Sequence, residues 1–179
     1  VRAGMAATPL DEACRAVLAR LSDDSGLTAY LSTLNQRETV VLQRLNGSHP
    51  VQVLSPPGSR RNASGTAMGR ALLSRLSEAE FQALYGTDAA QPLPMEGRDC
   101  PATVGDLARL VAQTRADHCG VAIDQAMPGI GAVAAAVRDP ATGELRGLCL
   151  SFVSFQADAA RVARCLLYTS PSPRDVEES

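Results

Sequence analysis

The spacing of apolar residues predicts five helices, because side chains that recur every three to four positions fall on one face of a helix. Residues 9–21 show this pattern most fully: Thr8 can cap a first turn that contains Pro9, and the apolar side chains then share a face. Ser77 and Glu80 form the capping box that starts another helix. The predicted helices cover residues 9–21, 64–76, 77–85 and 103–111, and a fifth begins near residue 157.

Stretches rich in β-branched and apolar residues predict six strands between these helices. Residues 27–34 and 39–45 flank a short polar turn and therefore form a hairpin, and a third short strand is expected from Val51 to Leu54. Residues 55–61 contain two prolines and a glycine, so they are predicted to form a loop without regular structure. The remaining strands are expected at residues 121–124, 130–137 and 145–153, the last two joined by a hairpin turn.

Helices and strands do not alternate strictly along this chain, which favours an α+β fold around an antiparallel sheet over a doubly wound parallel one. The length of 179 residues fits one domain, which we assign to residues 1–164. Residues 165–179 contain two prolines in close succession that stop a helix, so this tail is expected to be non-native or disordered. The first residue is Val1 rather than methionine, which indicates a fragment of a longer chain.

Composition and charge narrow the classes of function. The chain is 45% hydrophobic and 20% charged, as expected of a globular protein. No apolar run approaches the ~18 residues that span a bilayer, so we expect a cytoplasmic protein with no membrane partner. The net charge of −2 gives no general attraction to a nucleic-acid backbone. The five cysteines are widely spaced and only two histidines are present, so we expect no disulfide framework, structural zinc or cofactor.

Three places have residues suited to binding a ligand, and each also has a purely structural explanation. The small residues of segment 65–69 stand at a predicted helix start, where free N–H groups suit an anion, or else where helix and sheet pack closely. Cys149 and Ser151 alternate on a predicted strand and share a face, either as a pocket floor or as small core residues. Asp124 ends a strand, where it could accept a ligand hydroxyl or cap the following turn.

These places coincide with motifs that resemble the effector-binding domain of IclR-type transcription regulators. The motifs include A-M-G-R-A-L-L at residues 67–73, after P-P-G-S at 56–59, and P-G-I at 128–130, before V-A-A-A-V at 133–137. The similarity runs from about residue 9 to residue 164. Each motif is modest alone, and their order and spacing make the resemblance specific.

The resemblance implies a GAF/PAS-like (profilin-like) domain, in which a curved antiparallel sheet of about six strands, flanked by helices, holds a small-molecule pocket. It also implies a non-enzymatic domain that binds a small carboxylate effector and assembles into a homo-dimer or tetramer. DNA binding is then expected only through a winged helix-turn-helix domain, which precedes this domain in the family and is absent from the present chain.

The resemblance also implies the residues of the site. Backbone N–H groups of Ala67 and Met68 would receive the effector carboxylate, while Asp124 would act as the acid at a strand end. The remaining positions would supply small polar groups and walls: Cys149, Ser151, Val53, Arg61 and Ile130.

Two positions depart from the family pattern: Ala132 stands where relatives can have a polar residue, and Arg61 where an apolar residue is common. Two other functions remain open at this point, namely a Cys-dependent enzyme of the same fold and a dimerisation module without a ligand. A reactive cysteine is disfavoured because His118 is adjacent to Cys119 in sequence and so is not expected to face it. A closed cavity lined by a few polar groups would favour the ligand sensor.

Overall fold

A computed structural model describes residues 7–53, 55–155 and 157–169. Within these ranges the chain forms a curled antiparallel sheet of six strands, with strand order β3-β2-β1-β6-β5-β4, and helices on both of its faces. The α+β fold expected from the sequence is confirmed. The elements are α1 (Pro9–Ser25), β1 (Thr28–Asn35), β2 (Glu38–Leu45), β3 (Arg60–Asn62), a 3-10 turn (Ala63–Gly65), α2 (Ala67–Leu73), α3 (Glu78–Tyr85), α4 (Val104–Asp117), β4 (Gly120–Ile123), β5 (Ile130–Arg138), β6 (Leu145–Val153) and α5 (Ala159–Thr169).

Alternation along the strands divides the core between the two faces of the sheet. On one face, Ala29 and Leu31 of β1 pack with buried residues of α1 and α5. On the other, Tyr30 of β1 and Cys149 of β6 pack against α2. A third cluster joins α3 to α4 around Tyr85 and other apolar side chains. The face that α2 covers is the one that carries the site described below.

Side-chain caps fix the starts of four helices, and the sequence analysis predicts the caps of α1 and α3. Thr8 and Asp11 form a capping box at α1, and Ser77 and Glu80 form another at α3. Thr103 closes a third capping box at α4, while Thr66 caps α2 through its side chain alone. Each cap satisfies backbone N–H groups that have no acceptor within the helix.

The third strand lies later in the chain than the sequence predicts. Residues 51–53 form no strand, Leu54 lies outside the described residues, and β3 instead falls at the end of the segment expected to be an irregular loop. The reason is that this loop turns back along β2: Gly58 N donates to Val41 O, and Val41 N donates to Ser59 O. The backbone of β2 therefore finds its partners in residues 58–62, and the segment at 51–53 is left without a ladder.

The final helix, α5, extends further than the sequence predicts. It includes residues 165–169, which were assigned to the tail, and Leu166 is fully buried in the cluster that joins α1 to the sheet. The prolines that stop a helix come only after Thr169, so the amphipathic pattern runs five residues past Arg164. The rest of the tail, residues 170–179, lies outside the described residues, as do residues 1–6.

Candidate ligand-binding site

A cavity of about 340 Å³ lies between the inner face of the sheet and the start of α2. Its walls come from all six strands, from the segment before β3, and from the loop between β4 and β5. This volume falls within the range of roughly 300–1,000 Å³ that is typical of sites for small molecules. None of the described helices is long and apolar enough to cross a membrane, and the described residues contain no cluster of side chains suited to a metal ion.

Most of the residues predicted for the site line this one cavity. The residues that the structure brings together are Ala67, Met68, Cys149, Ser151, Ile130, Val53 and Arg61. They come from distant parts of the chain: the start of α2, the inner faces of β5 and β6, the edge strand β3 and the segment that precedes it. The folded sheet is therefore what makes a single site of them.

Asp124 is the predicted site residue that the structure does not bring to the cavity wall. Its backbone is left-handed, with φ of 57°, and its carboxylate oxygen Oδ1 accepts a hydrogen bond of 2.6 Å from Gly129 N. Its own N–H donates to Ile130 O at 3.0 Å. Asp124 thus closes the loop between β4 and β5, so the turn-capping explanation replaces the contact with a ligand hydroxyl.

The start of α2 presents free backbone donors beside the cavity. The Thr66 side chain accepts from Gly69 N at 2.9 Å, and Arg70 N donates to Thr66 O. The N–H groups of Ala67 and Met68 have no protein acceptor within the described residues. Gly69 has a structural role, because a Cβ there would lie 1.9 Å from Ala63 O. Close packing and free donors therefore occur in the same short segment.

Cys149 and Ser151 lie side by side on the floor of the cavity, with 3.7 Å between Cys149 Sγ and Ser151 Oγ. Burial raises the pKa of the Cys149 thiol to about 12, so this cysteine is protonated at neutral pH and is a poor nucleophile. Burial also raises the pKa of Cys119. The geometry therefore gives no support to a Cys-dependent enzyme that acts through either residue.

Several polar groups of the cavity were missed by the sequence analysis. Tyr30 OH donates to Val53 O at 2.6 Å and accepts from Ser55 N at 3.0 Å, so it anchors the segment that covers the sheet. Ser32, which is only 2% exposed, lines the cavity, and its hydroxyl has no hydrogen-bond partner in the described part of the chain. Ser32 comes two residues after Tyr30, so the alternation of side chains along a strand places both on one face, and this was the signal that could have revealed Ser32.

Arg61 is the one charged residue among those described as lining the cavity, and no acidic side chain accompanies it there. Arg61 is a partly buried residue, and its guanidinium makes no hydrogen bond or ion pair with any residue in the described ranges. The neighbouring Arg60 is exposed and pairs instead with Glu38 at 3.0 Å. Among the described residues, the lining of the cavity therefore carries one positive charge and no negative charge.

Arg70, which was noted in the sequence only as part of a motif, holds one wall of the cavity in place. It is 2% exposed, and burial lowers its pKa to about 10, so it remains charged at neutral pH. Its guanidinium donates to Gln125 Oε1 at 2.8 Å and to Val121 O. These bonds tie the loop between β4 and β5, which contributes Ala126 and other wall residues, to helix α2.

Comparisons with known proteins agree with this architecture. The family model described as "Bacterial transcriptional regulator IclR C-terminal" matches residues 4–168. The chain is 28% identical over 149 residues to the HTH-type transcriptional regulator XynR of Escherichia coli (strain K12), which covers 82% of this chain and 57% of that protein. It is 26% identical over 157 residues to the HTH-type transcriptional regulator BhcR of Paracoccus denitrificans (strain Pd 1222), or 86% of this chain and 54% of that one.

Solved structures of transcriptional regulators have a similar fold. The repressor BlcR of Agobacterium tumefaciens is 25% identical with a TM-score of 0.68, over 88% of this chain and 61% of that one. The C-terminal domain of the E. coli transcriptional regulator KdgR is 17% identical with a TM-score of 0.70, over 90% of this chain and 98% of that domain. The present chain spans about half the length of the curated relatives it matches. These relatives are named as transcriptional regulators, not enzymes, and the chain belongs to the IclR family as the C-terminal domain of a bacterial transcriptional regulator.

Proposed function

We propose that this domain binds a small carboxylate metabolite in the cavity, and that occupancy of the cavity controls DNA binding by another domain of the full-length regulator. The observation that carries the proposal is the charge and polarity of the cavity wall. Its one charged lining residue among those described is the cation Arg61, and its free donors include the Ser32 hydroxyl and the first N–H groups of α2. We further propose that the regulator works as a dimer or tetramer.

The energetics of such a site are adequate for a metabolite sensor. A hydrogen bond from a neutral donor to a carboxylate contributes about 1.5–3 kcal/mol. Two or three such bonds, together with the apolar parts of the cavity, have to offset at least several kcal/mol lost on association. The net corresponds to dissociation constants of roughly micromolar order, for which the binding free energy is about −8 kcal/mol.

The two alternative functions have less support. An enzyme would need a reactive group, and the cysteines proposed for that role are buried with raised pKa values. A module that only dimerises would have the inner face packed solid or its polar groups satisfied by the protein. Here a cavity of about 340 Å³ remains, and the Ser32 hydroxyl inside it has no hydrogen-bond partner among the described residues.

The proposal is tested by thermal-shift screening of carboxylate metabolites, followed by calorimetry on the best ligand. A ligand present at 100 times its dissociation constant stabilises the fold by about 2.7 kcal/mol, which is readily seen in the melting temperature. Ser151→Ala is expected to weaken binding about tenfold through the loss of one hydrogen bond to a charged group. Ser154→Ala, at an exposed position just beyond β6, is the matched control and leaves binding unchanged.

Two outcomes would contradict the proposed function. One is a screen in which no carboxylate shifts the melting temperature while the protein remains folded. The other is a bound carboxylate whose affinity is the same in Ser151→Ala and in the wild-type protein. A chain that contains both domains adds the functional readout, since the ligand is expected to change its affinity for operator DNA and the Ser151→Ala variant is expected to respond only at higher ligand concentration.

A further inference from the structure

We propose that the effector carries two anionic groups, with the second held by Arg61 at the end of the cavity opposite Ser151. This inference rests on the proposed function and narrows the ligand from carboxylates in general to elongated dianions. It depends on three features of the described residues: the placement of polar groups along the sheet, the state of Arg61, and the apolar wall between the two ends.

Strand register places the polar groups of the cavity at two separate ends. Ser151 on β6 pairs with Thr28 on β1, whereas Ser32 lies four residues further along β1. At about 3.3 Å per residue, these two positions are about 13 Å apart along the strand. Arg61 lies further still, because it pairs with Thr39 on β2, and Thr39 pairs with the residue two positions beyond Ser32.

The groups at the second end face the same side of the sheet. Tyr30 belongs to the inner face, and side chains alternate along a strand, so Ser32 is on that face too. Thr39, Ser32 and Arg61 all line the cavity. They form what we call the distal end, defined as Ser32, Thr39 and Arg61, in contrast to the end at Ser151.

The distal end suits an anion, and the described residues place no carboxylate there. Arg61 is partly buried, makes no ion pair with the described residues, and is accompanied by no acidic residue in the cavity lining. Ser32 adds a hydroxyl donor that is 2% exposed and has no protein partner in the described ranges. A guanidinium fork with a nearby hydroxyl suits a planar carboxylate and also a phosphonate or sulfonate.

The wall between the two ends is largely apolar. Tyr30 of β1 and its cross-strand partner Cys149 of β6 line the cavity there, two residues from each end. The hydroxyl of Tyr30 is already engaged by Val53 and Ser55. Such a wall suits a chain of methylene groups or a flat ring. A ligand with one anionic group would leave either Arg61 or the donors near Ser151 without a partner, whereas an elongated dianion satisfies both.

The experiment compares two series of probes on the same protein: α,ω-dicarboxylates and monocarboxylates of matched length, from four to ten carbons. Affinities are measured by calorimetry for the wild-type chain, Arg61→Met and Arg60→Met. Arg60→Met is the matched control, because Arg60 is the preceding residue on β3 but is exposed and pairs with Glu38. ω-Phosphono and ω-sulfo acids of the best length then show which anion the distal end prefers.

The expected result is that dicarboxylates within one window of lengths bind at least tenfold more tightly than the matched monocarboxylates. Arg61→Met is expected to abolish this preference by lowering the affinity for dicarboxylates at least tenfold, to that of the matched monocarboxylates, and Arg60→Met is expected to retain the preference. Equal affinities for the two series in the wild-type protein, or an unchanged preference in Arg61→Met, would overturn the inference and leave the proposed function standing. Failure of both series to bind the folded wild-type protein would overturn both. If Arg61→Met does not fold, Ser32→Ala provides the second variant, which is expected to reduce the preference for dicarboxylates.

Discussion

Asp124 occupies a position that the sequence motif assigns to ligand binding, but its side chain bonds to the backbone of the neighbouring loop. Its φ of 57° is in the left-handed region, which aspartate and asparagine tolerate better than most residues because their short polar side chains bond locally. The bond from Gly129 N to its carboxylate closes the loop that supplies Ala126 and Met127 to the cavity. Asp124 therefore acts on the shape of the cavity through the position of that loop.

This role leads to a prediction that separates a backbone function from a ligand contact. Asp124→Asn keeps an oxygen that can accept from Gly129 N and tolerates the left-handed backbone, so stability and ligand affinity are expected to remain close to wild type. Asp124→Ala loses both advantages and is expected to cost about 1–3 kcal/mol of unfolding free energy. Urea denaturation and calorimetry on the two variants check this. A fall in ligand affinity in Asp124→Asn without a loss of stability would instead indicate direct contact between the carboxylate and the ligand.

Individual site residues differ in how far the sequence could reveal them. The sequence could identify four of the cavity residues, because each belongs to a motif or to an alternating strand pattern that the folded chain retains. These are Ala67, Met68, Cys149 and Ser151. The sequence could not show that the Arg61 guanidinium has no partner among the described residues, because this depends on which residues the curled sheet places nearby. Only the folded chain shows that the neighbouring Arg60 has an acidic partner at the surface while Arg61 turns toward the cavity.

At the scale of elements, most helices and strands followed from their caps and periodicity, and the exceptions have a common cause. The segment before β3 was predicted to be a strand on its composition, yet a short strand exists only where a neighbour offers free backbone groups. In the loop that begins at Pro56, Gly58 and Ser59 form hydrogen bonds with the backbone N–H and C=O groups of β2, so these groups are not available to residues 51–53. Similarly, α5 extends past Arg164 because Leu166 finds a buried place against the core. Tertiary packing decided both cases.

The short helix α2 depends on a close approach that only glycine allows. A Cβ at Gly69 would lie 1.9 Å from Ala63 O, in the backbone of the 3-10 turn that precedes the helix. At Gly65, by contrast, the nearest atom to an added Cβ is Cys100 Sγ at 3.4 Å, an ordinary contact. The two glycines of one segment thus have very different tolerance to substitution.

We expect Gly69→Ala to destabilise the fold by about 1–3 kcal/mol or more, because the backbone of α2 and the turn must separate. The same separation moves the free N–H groups of Ala67 and Met68, so ligand affinity is expected to fall as well. Gly65→Ala is the control and is expected to change both quantities little. Chemical denaturation followed by ligand titration checks the pair, and equal behaviour of the two variants would contradict the close-packing role of Gly69.

At the scale of the whole molecule, charged contacts connect the helices to the sheet around its rim. Arg146 on β6 bonds to Asp11 of α1 at 2.6 Å, which joins the first helix to a central strand. Arg138 at the end of β5 holds Glu80 of α3 with two bonds, of 2.7 and 2.9 Å. These contacts hold α1 and α3, which lie outside the cavity, against the sheet. The stability of the fold that surrounds the cavity therefore depends in part on ionised carboxylates.

Glu80 gives this dependence a defined range of pH. The hydrogen bonds from Arg138, followed by the bond from Ser77 N, lower the pKa of Glu80 from 4.5 to about 2. Because the folded state holds this proton less tightly than the unfolded state, the contribution of Glu80 is fully present above pH 4.5 and is lost as the pH falls toward 2. The group is solvent-exposed, so the effect is modest and is screened by salt.

Glu80→Gln tests this directly, since glutamine at the third helical position can still complete the capping box with Ser77 while lacking the charge. The wild-type protein is expected to be more resistant to urea than the variant at pH 7 and low salt, and this advantage is expected to shrink to nothing between pH 4.5 and pH 2. Glu78→Gln, in the same helical turn and also exposed, controls for the loss of one negative charge. If the difference between wild type and Glu80→Gln stays constant from pH 7 to pH 2, the Arg138 contact does not stabilise the ionised carboxylate in solution.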